Sequence, residues 1–284
     1  MEGNQLLTRQ LRAAGRNIIP GLAFALVTPY AVAARPDAPV STVNHAFATE
    51  LGTGFYDIGG RSVFIATFTP AWEVREASSV QSGTRLILPL SAGSFNFVPD
   101  DAIEGHLPDR IDTFSIAPGV ELDFLLHKDW LFTPWVRAGA SFAGGTSDGF
   151  VYGAGARLIR DITSGDRGIT QLHDLMLVNV SYRNLPDDSF LRLRNAVDLR
   201  QRTSLRLGAE HQLLAGLYGI LDVIPDPPAA PAGVKPSSLQ LELGFTLNAD
   251  PRPQLRWLNW PRLGIGYRFA GDFSGWRIVI GAPF

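Results

Sequence analysis

The chain has 284 residues, enough for one large domain or two small ones. A mean hydropathy of +0.07 is too polar for a helical membrane protein, and no run of 18 apolar residues occurs beyond residue 35. The absence of cysteine excludes disulfides, thiolate metal sites and cysteine nucleophiles, and a net charge of −2 gives no reason to expect nucleic acid. The 29 Gly, 17 Phe, 6 Tyr and 6 Trp suit an all-β protein. Arginine carries nearly all the positive charge, since only Lys128 and Lys235 are lysines.

The first element is an address. Arg9, Arg12 and Arg16 precede an apolar stretch from Ile18 to Val32, which closes on Ala31-Val32-Ala33. A basic start, a short apolar core and a small-x-small exit predict a secretory signal peptide over 1–33. A membrane anchor is the competing reading; the core is short for a spanning helix and is interrupted by Pro20 and Pro29. Its removal leaves 22 basic and 26 acidic residues. A short periplasmic segment, 34–45, then leads into a domain over 46–284.

From residue 46 onward the period is two. Leu239, Leu241, Leu243, Phe245 and Leu247 interleave with Gln240, Glu242, Gly244, Thr246 and Asn248. Side chains on a strand alternate between faces, so one wall is apolar and the other polar. Twelve such strands are predicted, at 46–57, 62–75, 84–97, 111–125, 131–143, 149–161, 174–184, 189–201, 204–219, 237–248, 255–270 and 273–284. A soluble β-sandwich also alternates. Three features favour a closed antiparallel transmembrane β-barrel in a bacterial outer membrane. Segments of about 10 residues match a tilted crossing, the polar faces carry charge and glycine, and Tyr56, Trp72, Trp130, Trp260 and Trp276 fall near segment ends.

An even strand count places both termini in the periplasm. The connections 58–61, 98–110, 144–148, 185–188, 220–236 and 271–272 then face outside. The long inward-facing connections at 162–173 and 249–254 break the expected asymmetry of short periplasmic turns.

In the last strand Trp276, Ile278, Ile280 and Phe284 share one apolar face, with Arg277 on the other. A terminal aromatic with apolar residues at every second position before it resembles the signal read by bacterial barrel-assembly machinery, which is the expected partner together with outer-membrane lipid and lipopolysaccharide. Three segments, Thr113 to Leu122, Phe150 to Ala156 and Arg262 to Asp272, resemble the solitary autotransporter-type outer-membrane barrels. That resemblance implies a twelve-stranded barrel without a secreted passenger. Autotransporters that secrete a passenger precede the barrel with a pore-threading helix; proline-bearing residues 35–39 cannot form one, so passenger secretion is not expected here.

Candidate chemistry is sparse. No cofactor or metal is implied, and no two histidines have ligand spacing. His173-Asp174 and Asp187-Asp188 would lie at opposite ends of one strand, too far apart to share a water, and His211 is placed on the lipid side. An outer-membrane lipid hydrolase or protease is therefore the alternative rather than the reading. Acidic Asp100, Asp101 and Glu104 could bind a divalent cation, although acidic loops are more often merely solvated.

The polar face is richer. Arg85, Arg137, Arg157, Arg183, Arg192, Arg194, Arg200, Arg206, Arg268 and Arg277 fall on it, with Glu50, Glu121, Asp123, Asp198, Glu210 and Glu242. Two readings stay open: ion pairs that lock the strands and fill the lumen, or a narrow channel with a positive bias. Around Arg192, Arg194, Arg200 and Arg206 only Asp198 and Glu210 are expected to answer locally, which would leave cationic excess. A monomer is expected.

Overall fold

The computed structural model describes residues 49–58, 61–95, 113–143, 148–183, 186–208, 210–225, 227, 237–251, 254–255, 258–259, 261–271 and 273–284. The signal peptide, the 34–45 segment, Asp100, Asp101, Glu104 and Trp260 lie outside them.

Twelve antiparallel strands pair in chain order and close on themselves. The first is Gly54–Ile58. The second runs Arg61–Phe68 and continues as Ala71–Arg75, the third is Gly83–Ile87 with Leu90–Phe95, and the fourth is Thr113–Ile116 with Gly119–His127. The fifth to eighth are Trp130–Ala143, Gly149–Ser164, Arg167–Tyr182 and Asp188–Leu207. His211–Val223, Leu239–Asp250, Leu263–Ala270 and Phe273–Ile280 complete the set. The ring closes where the first strand pairs with the twelfth, Gly54 opposite Arg277 and Ile58 opposite Phe273. Closure leaves every spanning backbone group a partner, which a bilayer demands of strands.

The wall is uneven in height. Its closing ladder is only five residues long, whereas the sixth and seventh strands pair over sixteen. Pro70, Pro89 and Pro118 interrupt the second, third and fourth strands at adjoining positions, because proline has no N–H to donate. Each still accepts a bond from the next strand, from the amides of Leu88 at 2.9 Å, Ala117 at 3.0 Å and Ala138 at 3.0 Å.

Four sequence expectations are corrected. The presumed connection at 162–173 is strand on both sides of a two-residue turn at Gly165, φ 57°, and Asp166. Thus the seventh strand starts at Arg167, and His173 lies in its middle rather than at its end. Residues 202 and 203 are likewise inside the eighth strand, which turns later, at Gly208 with φ 70°. The eleventh strand begins at Leu263; Gln254–Leu255 and Leu258–Asn259 form a separate small ribbon. The first strand begins at Gly54 rather than 46, because residues 49–51 are helical and Gly52, φ 86°, reverses the chain.

The two faces separate cleanly. Leu175, Leu191, Leu193, Leu217, Leu243, Ile265 and Trp276 are exposed on the outside, while Asp174, Arg192, Arg194, Glu242 and Arg268 are buried within. The core of this molecule is therefore its lumen.

Candidate functional site: the filled lumen

The interior is built in zones. One apolar cluster joins Leu51, Tyr56, Val63, Ile65, Ala270 and Phe273. Tyr56 belongs here, stacked on Phe273 at 5.7 Å, and not in an interfacial girdle, because Gly275 opposite it leaves room for the ring. A second cluster gathers Trp135, Val151, Met176, Val178, Val180, Phe190 and Ile224. A third holds Leu172, Ala196, Tyr218, Ile220 and Val279, with Ile159 and Phe284 packed against it. The large rings need glycine opposite them. A Cβ on Gly155 would lie 2.6 Å from the Trp135 ring, and one on Gly244 would lie 2.3 Å from that of Tyr218.

Among these clusters runs an ion-pair network. Glu50, carried into the lumen by the helical residues 49–51, accepts from Arg137 of the fifth strand and from Arg192 of the eighth at 2.8 Å. Beside it the Thr49 hydroxyl meets the Ser91 hydroxyl at 2.8 Å and that of Ser115 at 3.0 Å. Residues 35–39, on which the expectation of no pore-threading helix rests, lie outside the described chain. Arg192 also donates to Asp174 at 2.9 Å. Arg157 binds Glu121, and Arg85 bridges Glu121 at 3.0 Å and Asp123 at 2.8 Å.

On the other wall Arg194 grips Asp222 with two bonds, 2.7 and 2.8 Å. Arg268 reaches Asp222 at 3.1 Å and Glu242 at 2.9 Å, and Glu242 also accepts from Arg277 and the Tyr218 hydroxyl, each at 2.9 Å. A third group pairs Arg262 with Asp198 through two 2.6 Å bonds, and Arg200 with Asp161 at 2.6 Å. The planar guanidinium suits this role: several donors in a fixed fork can serve two carboxylates at once.

Of the sixteen lumen candidates in the sequence, thirteen lie within this network: Arg85, Arg137, Arg157, Arg192, Arg194, Arg200, Arg268, Arg277, Glu50, Glu121, Asp123, Asp198 and Glu242. Arg183, exposed just past the end of the seventh strand, Arg206 and Glu210 do not. Arg206 is exposed beyond the β-bulge between Arg202 and Arg206, and Glu210 is exposed in the following turn. A bulge breaks the strict alternation on which parity depends. Nor are the eighth-strand arginines left to Asp198 alone, since Asp174, Asp222, Asp161 and Glu50 answer them. Among the described residues nine paired guanidiniums (Arg85, Arg137, Arg157, Arg192, Arg194, Arg200, Arg262, Arg268 and Arg277) face eight carboxylates (Glu50, Glu121, Asp123, Asp161, Asp174, Asp198, Asp222 and Glu242). The large local excess is not present.

Asp161, Asp174, Asp222 and Arg262 escaped the sequence reading. Asp222 sits where the ninth strand extends past its expected end, while Asp161 and Asp174 are the end residues of their expected strands; the continued alternation of Tyr218, Ile220 and Asp222 was the available signal.

The C-terminal stripe divides. Trp276, Ile278 and Ile280 face outward. Phe284 does not: the strand ends at Ile280, Gly281 turns the chain at φ 99°, and Pro283 accepts a 2.6 Å bond from the lumen residue Arg277. That turn carries Phe284 against the third interior cluster.

His173 faces outward, its Nδ1 2.8 Å from the Asn195 side-chain oxygen, while Asp174 points inward to Arg192. The two residues stand on opposite sides of the wall. His211 opens the ninth strand, its Nδ1 2.7 Å from the Pro251 carbonyl. No group of three or more His, Asp or Glu among the described residues could hold a metal ion.

No protein-family model matches the sequence, and no curated protein matches it. Among solved structures, the β domain of the Bordetella autotransporter BrkA superimposes with a TM-score of 0.52 at 10% identity, over 79% of this chain and 95% of that one. The fold is that of an autotransporter β domain. At this identity the likeness is one of fold alone. It agrees with the twelve-stranded closure.

Proposed function

We propose that this chain is an integral outer-membrane barrel whose lumen is blocked by its own side chains and by the residues at 49–51, so that it serves as a structural membrane protein rather than an open pore. The observation that carries this reading is the double tether of Glu50 to Arg137 and Arg192, within an interior whose charges are paired and whose aromatics are packed. The apolar outer belt supports a bilayer setting, since a wall of exposed Leu, Ile and Phe has no place in water. With the termini periplasmic, Trp276, Ile278 and Ile280 form the stripe offered to barrel-assembly machinery. No secreted passenger and no catalysis belong to this reading.

Planar-bilayer recording tests it. The wild type is expected to conduct little or not at all, and Arg137→Gln/Arg192→Gln, which frees Glu50, to raise the open probability. A stable, ion-selective conductance in the wild type would establish the narrow-pore alternative instead. Recovery of the protein in a soluble periplasmic fraction would remove the membrane assignment.

A further inference from the structure

We propose that the outer wall of the fifth to seventh strands holds one phospholipid of the periplasmic leaflet, with Arg160 on its phosphate and an acyl chain in the trough beyond. The inference rests on the outer-membrane reading above. It begins with a charge that has no carboxylate partner among the described residues. Each of the nine arginines in the lumen network has a carboxylate. Arg160 lies on the opposite face: its neighbours Arg157, Ile159 and Asp161 point inward, to Glu121, the third apolar cluster and Arg200. Among the described residues no carboxylate forms an ion pair with it. Its Nε is buried without a hydrogen bond, and its guanidinium carbon lies 5.2 Å from the centre of the Trp130 ring.

A cation on the lipid-facing wall of a barrel is costly unless it meets the headgroup layer or an anion. The Trp130 ring attracts the guanidinium but neutralises nothing. Cross-strand register sets Trp130 on one side of Arg160 and Gln171 on the other, so an amide donor stands next to the charge. His173 and Asn195 extend the polar patch one step further from the turn. A fork of N–H donors flanked by an amide suits a phosphate, which offers several acceptor oxygens and a full charge.

The wall beyond Arg160 has the complementary form. Successive rows across the fourth to seventh strands read Leu122, Pro134, Ala156, Leu175 and then Val120, Val136, Ala154, Leu177. Small side chains in the middle are bordered by larger ones, and Leu175 and Leu177 stand 50% and 44% exposed. Past Leu158, the outer face of the sixth strand from Arg160 to Tyr152 runs eight residues, roughly 26 Å along a tilted strand, with its low stretch at Ala156 and Ala154. That is ample for a chain reaching the midplane of a hydrocarbon layer about 30 Å thick. Arg160 is near the turn at Gly165-Asp166, on the same end of the barrel as the C-terminus, so the headgroup belongs to the periplasmic leaflet.

The experiment is native mass spectrometry of the detergent-purified full barrel, titrated separately with phosphatidylglycerol, with a diacylglycerol lacking phosphate, and with inorganic phosphate. Wild type is expected to keep one phosphatidylglycerol and to ignore the other two. Arg160→Gln should weaken that binding about tenfold, the loss of one charge-assisted contact, and Ala156→Phe should weaken it by filling the trough. Arg167→Gln, an exposed arginine already bonded to Gln201 at 3.0 Å, should leave it unchanged. Folding of every variant is checked by heat-modifiable migration on a gel. Equal binding by wild type and Arg160→Gln, or retention only of lipopolysaccharide, would overturn the proposal while leaving the membrane assignment intact. Absence of the wild type from the outer-membrane fraction would instead remove the reading on which the proposal rests.

Discussion

Glu50 and Arg192 stand 142 positions apart in the chain and meet at 2.8 Å inside the barrel. The pair ties the residues before the first strand to the tall wall opposite the closure. Arg137 completes the clamp from a third direction, and Arg192 is shared with Asp174. Glu50→Gln is therefore expected to cost about 3 kcal/mol, because it leaves two buried guanidiniums short of a carboxylate. A lower temperature for the folded-to-unfolded gel shift would record the loss. An unchanged transition would mean that the clamp adds no stability.

Position in the network should decide the cost of losing a charge. Asp222→Asn disturbs both Arg194 and Arg268, all three groups being deeply buried, and should destabilise by about 3–5 kcal/mol. Asp250→Asn removes a partner of Arg202 at the rim, where the side chains are 43% and 48% exposed, and should cost under about 1 kcal/mol. Urea titration of the two variants in the same detergent gives the comparison, and equal costs would refute the network's hierarchy.

The glycines under the rings lead to a coupled prediction. Gly155→Ala places a methyl group within 2.6 Å of Trp135, and overpacking of this kind costs about 1–3 kcal/mol. Adding Trp135→Leu should restore part of that loss, since the contact with the indole disappears while the 2.5 Å approach to the Leu175 carbonyl stays. Additive effects in the double-mutant cycle would show that the two positions do not touch.

The C-terminus offers a separation of roles. Ile280→Asp introduces a charge on the outer stripe and should lower membrane insertion. Phe284→Ala, by contrast, removes a ring from the third interior cluster and should lower the stability of barrel that has already inserted, by about 2 kcal/mol. Quantifying inserted protein and its thermal transition separately distinguishes them; a defect in insertion alone for both would place Phe284 on the outer stripe.

Architecture was legible in the residues because a barrel wall writes its two environments into alternate positions. Leu239 to Asn248 reads directly as one lipid-facing and one lumen-facing row, and the structure places Glu242 inside with Arg268 and Arg277. Ends of strands were less legible. Asp161 and Asp174 lie on either side of a two-residue turn set within the polar run Thr163 to Gly168, and that run reads as a generous connection rather than as two strand ends. The bulge that moves Arg206 out of phase leaves no trace in composition. Phe284 was misplaced for a related reason, as parity was continued past Gly281, where a positive φ ends the strand. The residues at 49–51 were hidden differently: Thr49, Glu50 and Leu51 continue the alternation well enough to pass for strand, and only their partners on distant strands show otherwise.

The uneven wall makes this barrel a zipper whose teeth are fewest around its first strand. Five residues join the first strand to the last, while sixteen join the sixth to the seventh and fourteen join the seventh to the eighth. Backbone bonds loaded in sequence yield one after another, so resistance scales with the height of the ladder being peeled. Drawn out of the bilayer by its C-terminus, the chain would surrender the twelfth strand at low force and then climb toward a plateau at the eighth, seventh and sixth. The tall wall, which also anchors Glu50 through Arg192, is where mechanical rupture would stall.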